Sequence, residues 1–166
     1  YQDPYGCGIG GFKRIDFEKG GKIRYDFLST DIFRHYDMHL VFTGVTRNSK
    51  TVLKSVTDNL EKVKPLLETA DRAYENLLNQ EYDKFLYLLG KSWHQKKQTS
   101  SAIVDSETIR EIDDVLEKNE TVCAHKLCGA GNGGFFLTFS ETDTLKIPFE
   151  SVKIGVESNG VYGRIV

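Results

Sequence analysis

The stretch Lys126-Leu-Cys-Gly-Ala-Gly-Asn-Gly-Gly-Phe-Phe-Leu-Thr-Phe139 decides the fold class. Glycines at 129, 131, 133 and 134 invite comparison with a dinucleotide fingerprint. That fingerprint needs a helix directly after the glycines, so that pyrophosphate rests on its N-terminus. Phe135-Phe-Leu-Thr-Phe139 follows instead, and it reads as a strand. The Gly-Lys-Ser/Thr ending of a P-loop is absent too. What remains is a glycine loop between strands, whose backbone can approach a ligand or another loop closely. Successive N–H groups in such a turn can form an anion-binding nest. The alternative is a tight turn with no ligand.

Upstream of the loop the period is helical. Val63, Leu66, Leu67, Ala70, Ala73, Tyr74, Leu77 and Leu78 recur at steps of three and one, the stripe of an amphipathic helix. A preceding helix is predicted after Asn48-Ser49, with one of the two as its cap. Tyr82, Phe85, Leu86, Leu89 and Trp93 continue the pattern in a third helix, whose end carries Lys96-Lys97, cations suited to the helix dipole. A fourth starts near Ser106 and aligns Ile109, Ile112, Val115 and Leu116. Tyr74, Tyr82, Phe85 and Trp93 sit on helical spacing and read as core.

Strand patterns flank the helices. Residues 12–28 form a hairpin around Gly20-Gly21, and Leu40-Val41-Phe42 suits a buried strand. Val152, Ile154 and Val156 alternate up to Asn159-Gly160, from which Val161 to Val166 runs back as a second hairpin. Strands, then helices, then strands predict an α+β fold: an antiparallel sheet with about four helices on one face.

Composition narrows the function. Against 24 acidic residues stand 22 basic ones, a net charge of −2, which excludes the strongly basic face of a dedicated nucleic-acid binder. The longest apolar run, Phe85 to Leu89, is far short of the ~20 residues a membrane span needs. Three cysteines and no signal peptide fit a reducing, cytoplasmic setting. The 166-residue chain opens on tyrosine and reads as part of a larger gene product. Cys123-x-His125-x-x-Cys128 and His35-x-x-x-His39 lack the spacing of a closed four-ligand metal site, so no metal is expected there.

Lys126 to Phe136 resembles the third conserved motif of the GHMP kinases, the superfamily of galactokinase, homoserine kinase, mevalonate kinase and phosphomevalonate kinase. Gln2-Asp3-Pro4-Tyr5 leading to Gly10-Gly11-Phe12 is similar to the segment carrying their catalytic aspartate. Val41-Phe-Thr-Gly-Val-Thr-Arg-Asn-Ser-Lys50 and the segment from Ser92-Trp93 to Ser100 resemble one branch, the D-glycero-D-manno-heptose 7-phosphate kinases. The resemblance implies a ferredoxin-like C-terminal kinase domain over residues 37–166, with residues 1–36 ending the N-terminal domain. It also implies an ATP-dependent sugar kinase acting on the anomeric hydroxyl of a sugar phosphate.

Site residues follow from it. Asp3 would orient the acceptor hydroxyl or take its proton. Gly129, Ala130, Gly131, Gly133 and Gly134 would contact ATP phosphates. Thr43, Gly44 and Arg47 would bind substrate, the arginine beside a helix N-terminus offering a fork of donors to a phosphate. The departures are specific. The Pro-x-x-x-Gly-Leu-Gly-Ser-Ser loop that holds ATP phosphates is absent, so ATP and Mg2+ would be held mainly by an upstream part. Asn132 replaces a glycine, and Pro4 stands where the heptose branch has glutamine. Between Ser140 and Phe149 the chain is too short for a helix that many members carry there. Apolar surface near residues 1–28, facing that upstream part, would favour self-association. A non-catalytic α+β module that binds a ligand or partner through the glycine loop is the rival.

Overall fold

The computed structural model describes residues 2–46 and 60–161; Arg47, the helix expected after Ser49 and the run from residue 162 onward lie outside them. The described elements are α1 (Gln2–Gly8), β1 (Lys13–Phe17), β2 (Ile23–Phe27), β3 (Tyr36–Phe42), α2 (Lys64–Leu78), α3 (Tyr82–Thr99), α4 (Glu107–Lys118), β4 (Ala124–Leu127), β5 (Phe135–Glu141) and β6 (Ser151–Ile154). Short 3-10 turns precede β3, α2 and α4.

β1 and β2 pair antiparallel, Ile15 opposite Tyr25, across Gly20 and Gly21 at φ 88° and 80°. The turn is closed by the Gly21 N–H on Glu18 O at 3.2 Å, and glycine supplies the two positive φ values without strain. The larger sheet runs β4-β5-β3-β6, antiparallel throughout. The fold is α+β, with helices packed on an antiparallel sheet.

Strand alternation sorts the core. Val41 faces Phe136 across the β3–β5 ladder and Leu127 faces Phe136 across β4–β5, so the three share one face. Ile109, Ile112 and Leu116 of α4 cover that face together with Trp93, which is fully buried. Ala124 and Phe139 occupy the other face beside Leu86 of α3. α3 therefore passes along the β4 edge and contributes to both faces. Trp93 is the anchor of this arrangement; its ring meets Phe136 edge-on at 5.9 Å. Tyr74, expected in the core, instead lies under the Arg14 guanidinium at 4.7 Å, and Tyr82 tilts against His35.

The first glycine segment is helical through Gly8, with the loop confined to residues 9–12. The hairpin expected at Asn159-Gly160 is untested, because its return run lies outside the described residues; of the pair, only Gly160 has positive φ (68°). The loop of residues 157–161 packs on the end of α1. The Gly11 N–H donates to Glu157 O at 2.7 Å, and the Val161 N–H to Gly8 O at 3.3 Å. A Cβ on Gly10 would stand 2.3 Å from Gly160 N and from Ser158 O, so the two backbones touch where only glycine fits.

Candidate functional site

The glycine loop between β4 and β5 is pinned from three directions. The Cys128 N–H donates to Phe135 O at 2.9 Å and closes the loop's base. The Asn132 N–H donates to Ile103 O at 2.7 Å, while its side-chain Oδ1 accepts from the Ser106 N–H at 2.9 Å. The Gly134 N–H donates to Val45 O at 3.0 Å, and Thr43 donates to Gly134 O through both its N–H (3.0 Å) and its hydroxyl (2.8 Å).

Backbone geometry accounts for the composition. Gly129, Gly131, Gly133 and Gly134 have φ of 67°, 119°, 151° and 94°. Asn132, at φ 52°, takes the left-handed conformation that asparagine tolerates better than most residues, so the substitution of glycine there keeps the loop's course. A Cβ on Gly131 would approach Ile103 Cα and Cγ2 to 3.0 Å. The loop thus runs tight against the turn that follows α3.

Its tip faces outward. Gly129 is exposed and Ala130 half-buried, and the N–H groups of both lack an acceptor among the described residues. The Lys96 ammonium, from the last turn of α3, bonds Gly129 O and Leu127 O just beneath. Two adjacent unpaired N–H groups above an ammonium fit a phosphate oxygen. For Mg2+ the fit is poorer: among the described residues no three His, Cys, Asp or Glu side chains gather as a metal site.

Below the loop lies a buried polar hub. Asp113 accepts from Trp93 Nε1 at 2.6 Å and His125 Nε2 at 2.8 Å through Oδ1, and from Lys97 Nζ at 2.6 Å through Oδ2. Burial opposes ionisation, but donation from His125, Lys97 and Trp93 outweighs it and brings the Asp113 pKa down to about 2. The hub ties α3, α4 and β4 together two residues before Leu127, where the strand enters the loop.

The expected site residues are placed unequally. Thr43 is buried, its hydroxyl committed to Gly134, so it joins the end of β3 to the glycine loop. Gly44 beside it is exposed at φ 69°. Asp3 lies in the first turn of α1, and Arg47 falls outside the described residues. Lys96 and Asp113 were missed as loop supports. Lys96 reads as an ordinary helix-end cation. Asp113 carried a signal, because a carboxylate on the stripe of Ile109, Ile112 and Leu116 must find buried partners.

No protein-family model matches the chain. The fold does find relatives. Lactococcus lactis galactokinase, solved with galactose, superposes with a TM-score of 0.70 at 14% identity, over 96% of this chain and 55% of its own. L. major mevalonate kinase, solved with R-mevalonate, gives 0.60 at 16%, over 79% and 40%. The chain has the fold of the C-terminal portion of the GHMP kinases. In sequence it is 26% identical over 148 residues to the D-glycero-alpha-D-manno-heptose 7-phosphate kinase of Campylobacter jejuni, which covers 83% of this chain. The chain spans 43% of that relative's length. Among the described residues no helix is long and apolar enough to cross a membrane.

Proposed function

We propose that the chain is the C-terminal part of a cytoplasmic, ATP-dependent GHMP sugar kinase that phosphorylates the anomeric hydroxyl of a sugar phosphate, D-glycero-D-manno-heptose 7-phosphate. The observation that carries this is the pinned glycine loop with two N–H groups that lack an acceptor among the described residues, coupled through Thr43 to the strand end that precedes Arg47. In this reading residues 1–36 close the N-terminal domain and 37–166 form the C-terminal one. Likeness to a heptose 7-phosphate kinase supports the choice of acceptor.

Phosphoryl transfer asks a protein mainly to position groups and stabilise charge. Bound ATP with Mg2+ supplies the electrophilic phosphoryl group. The N–H groups of Gly129 and Ala130 hold a phosphate oxygen, and Lys96 fixes the carbonyls behind them, so the donors need no reorganisation. Gly44 and Arg47 receive the sugar phosphate at the β3 end, the guanidinium as a bidentate donor. Asp3 orients the acceptor hydroxyl and takes its proton.

The test is turnover by the protein of the parent gene, with ATP–Mg2+ and D-glycero-D-manno-heptose 7-phosphate. Asp3→Asn is expected to leave ATP binding intact and lower turnover at least ~10²-fold, the scale of lost general-base help. Turnover within a few-fold of wild type removes Asp3 from the chemistry.

A further inference from the structure

A cleft of about 900 Å³ opens between β1 on one side and α2 and α3 on the other. That lies within the roughly 300–1,000 Å³ typical of small-molecule sites. Its walls are mostly apolar: Phe12 and Ile15 face Leu66, Leu77 and Leu89 across the gap. The stripe of α2 is correspondingly under-covered. Of that helix only Thr69 is fully buried, and Leu67 remains 63% exposed.

The charges around the cleft cancel, with one exception. Arg14 is satisfied by Asp16 at 2.9 Å and Asp71 at 2.7 Å, and Glu18 by Arg24 at 2.8 Å. Lys13 is wrapped by the carbonyls at the end of α1, and Lys96 by those of Leu127 and Gly129. Lys126 is left. It sits on β4 opposite Leu137 and lines the cleft, and its ammonium has no hydrogen-bond or ion-pair partner among the described residues. Desolvation pulls its pKa below the ordinary lysine value. An unpaired ammonium in apolar surroundings is costly, and a ligand anion relieves that cost.

We infer that this cleft binds a monoanionic amphiphile of the medium-chain carboxylic acid class, its carboxylate on Lys126 and its apolar body between β1 and α2. A single unneutralised ammonium suits one carboxylate better than a phosphate dianion. The inference does not rest on the proposed phosphoryl transfer, although Lys96, which supports the glycine loop, also lines the cleft.

Decanoate is the probe, titrated into the 166-residue chain and followed by fluorescence of its single tryptophan, Trp93, whose ring lies 5.8 Å from Lys96 Nζ at the cleft wall. Saturable one-to-one binding is expected, with decanol at least tenfold weaker. Lys126→Met should weaken decanoate at least tenfold, and Lys126→Arg should hold it within a few-fold. Ala70→Phe, which fills the cleft, should abolish it. Circular dichroism on each variant confirms folding, and the decanoate–decanol contrast on wild type stands even if a variant misfolds. Non-saturable uptake, equal affinity for decanol, or an unaffected Lys126→Met overturns the assignment. So does competitive displacement by ATP–Mg2+, which would make the cleft a nucleotide site.

Discussion

The pattern Gly-x-Gly-x-Gly-Gly-Phe occurs twice, at residues 6–12 and 129–135, and the two copies fold differently. The first continues α1 through Gly8 and has positive φ only at Gly11. The second has positive φ at all four glycines and at Asn132. The residue between the second and third glycines separates them. Ile9 is β-branched and resists positive φ, whereas Asn132 accepts it. Surroundings do the rest. The first copy is clamped backbone to backbone against residues 157–161, and the second is held by Thr43, Ser106 and Lys96 with its tip left outward. Glycine density marks close approach in both.

If the second copy depends on side-chain anchors, removing the hub beneath it should have the largest effect. Asp113→Ala leaves Lys97, His125 and Trp93 without their acceptor, and loss of one partner from a buried charged network costs about 3–5 kcal/mol. The pH dependence has a definite sign. The folded pKa of about 2 lies below the ordinary 3.8, so ionised Asp113 contributes its full stability above about pH 4. That contribution is lost as pH falls through 2. The gap in Tm between wild type and Asp113→Ala should therefore be wide at neutral pH and narrow near pH 2. A gap independent of pH would mean that the charge is not what holds the hub.

The first copy should fail for a steric reason. Gly10→Ala drives a methyl into the backbone of residues 158–160, an overlap with no flexible side chain to yield. A cost of about 3 kcal/mol is expected, at the upper end of overpacking penalties. Gly131→Ala meets Ile103 at 3.0 Å and also sets a side chain at φ 119°, so its cost is backbone strain more than overlap and should be the smaller, while still displacing the loop tip. Thermal unfolding of the two variants side by side checks the order; a larger loss for Gly131→Ala reverses the comparison.

Much of the fold was legible because period and turn chemistry are local. The stripes of α2, α3 and α4, the Gly20-Gly21 turn and the strand after Gly134 all announce themselves within a dozen residues. Helix α1 did not, since the groups that hold its end, Lys13 and residues 157–161, act from outside it. Of the candidate site, the glycine loop was visible and its supports were not. Lys96 reaches Gly129 over 33 residues, and Thr43 reaches Gly134 over 91. No spacing rule spans such separations.

The smallest expected effect isolates the end of α1. Lys13 Nζ lies 3.1 Å from Gly6 O, 3.4 Å from Gly10 O and 3.3 Å from Gly11 O, and also bonds Ile9 O. An ammonium has three protons, so the four carbonyls share them; Gly6 O is one that the helix end leaves without an internal partner, and the other three belong to the loop that follows. Lys13→Met keeps the stem and removes the charge. The carbonyls are near solvent and water replaces much of the loss, so about 1 kcal/mol is expected, a fall in Tm of about 2–4 °C for a chain of this size. The effect should nevertheless be local. Amide exchange should quicken in α1 and stay unchanged at Trp93 and Leu127, because the Gly10–Gly160 contact still holds the segment to the body of the protein. Uniform acceleration across the sheet would mean that Lys13 supports the whole fold, and the first glycine segment would then be no more independent of the core than the second.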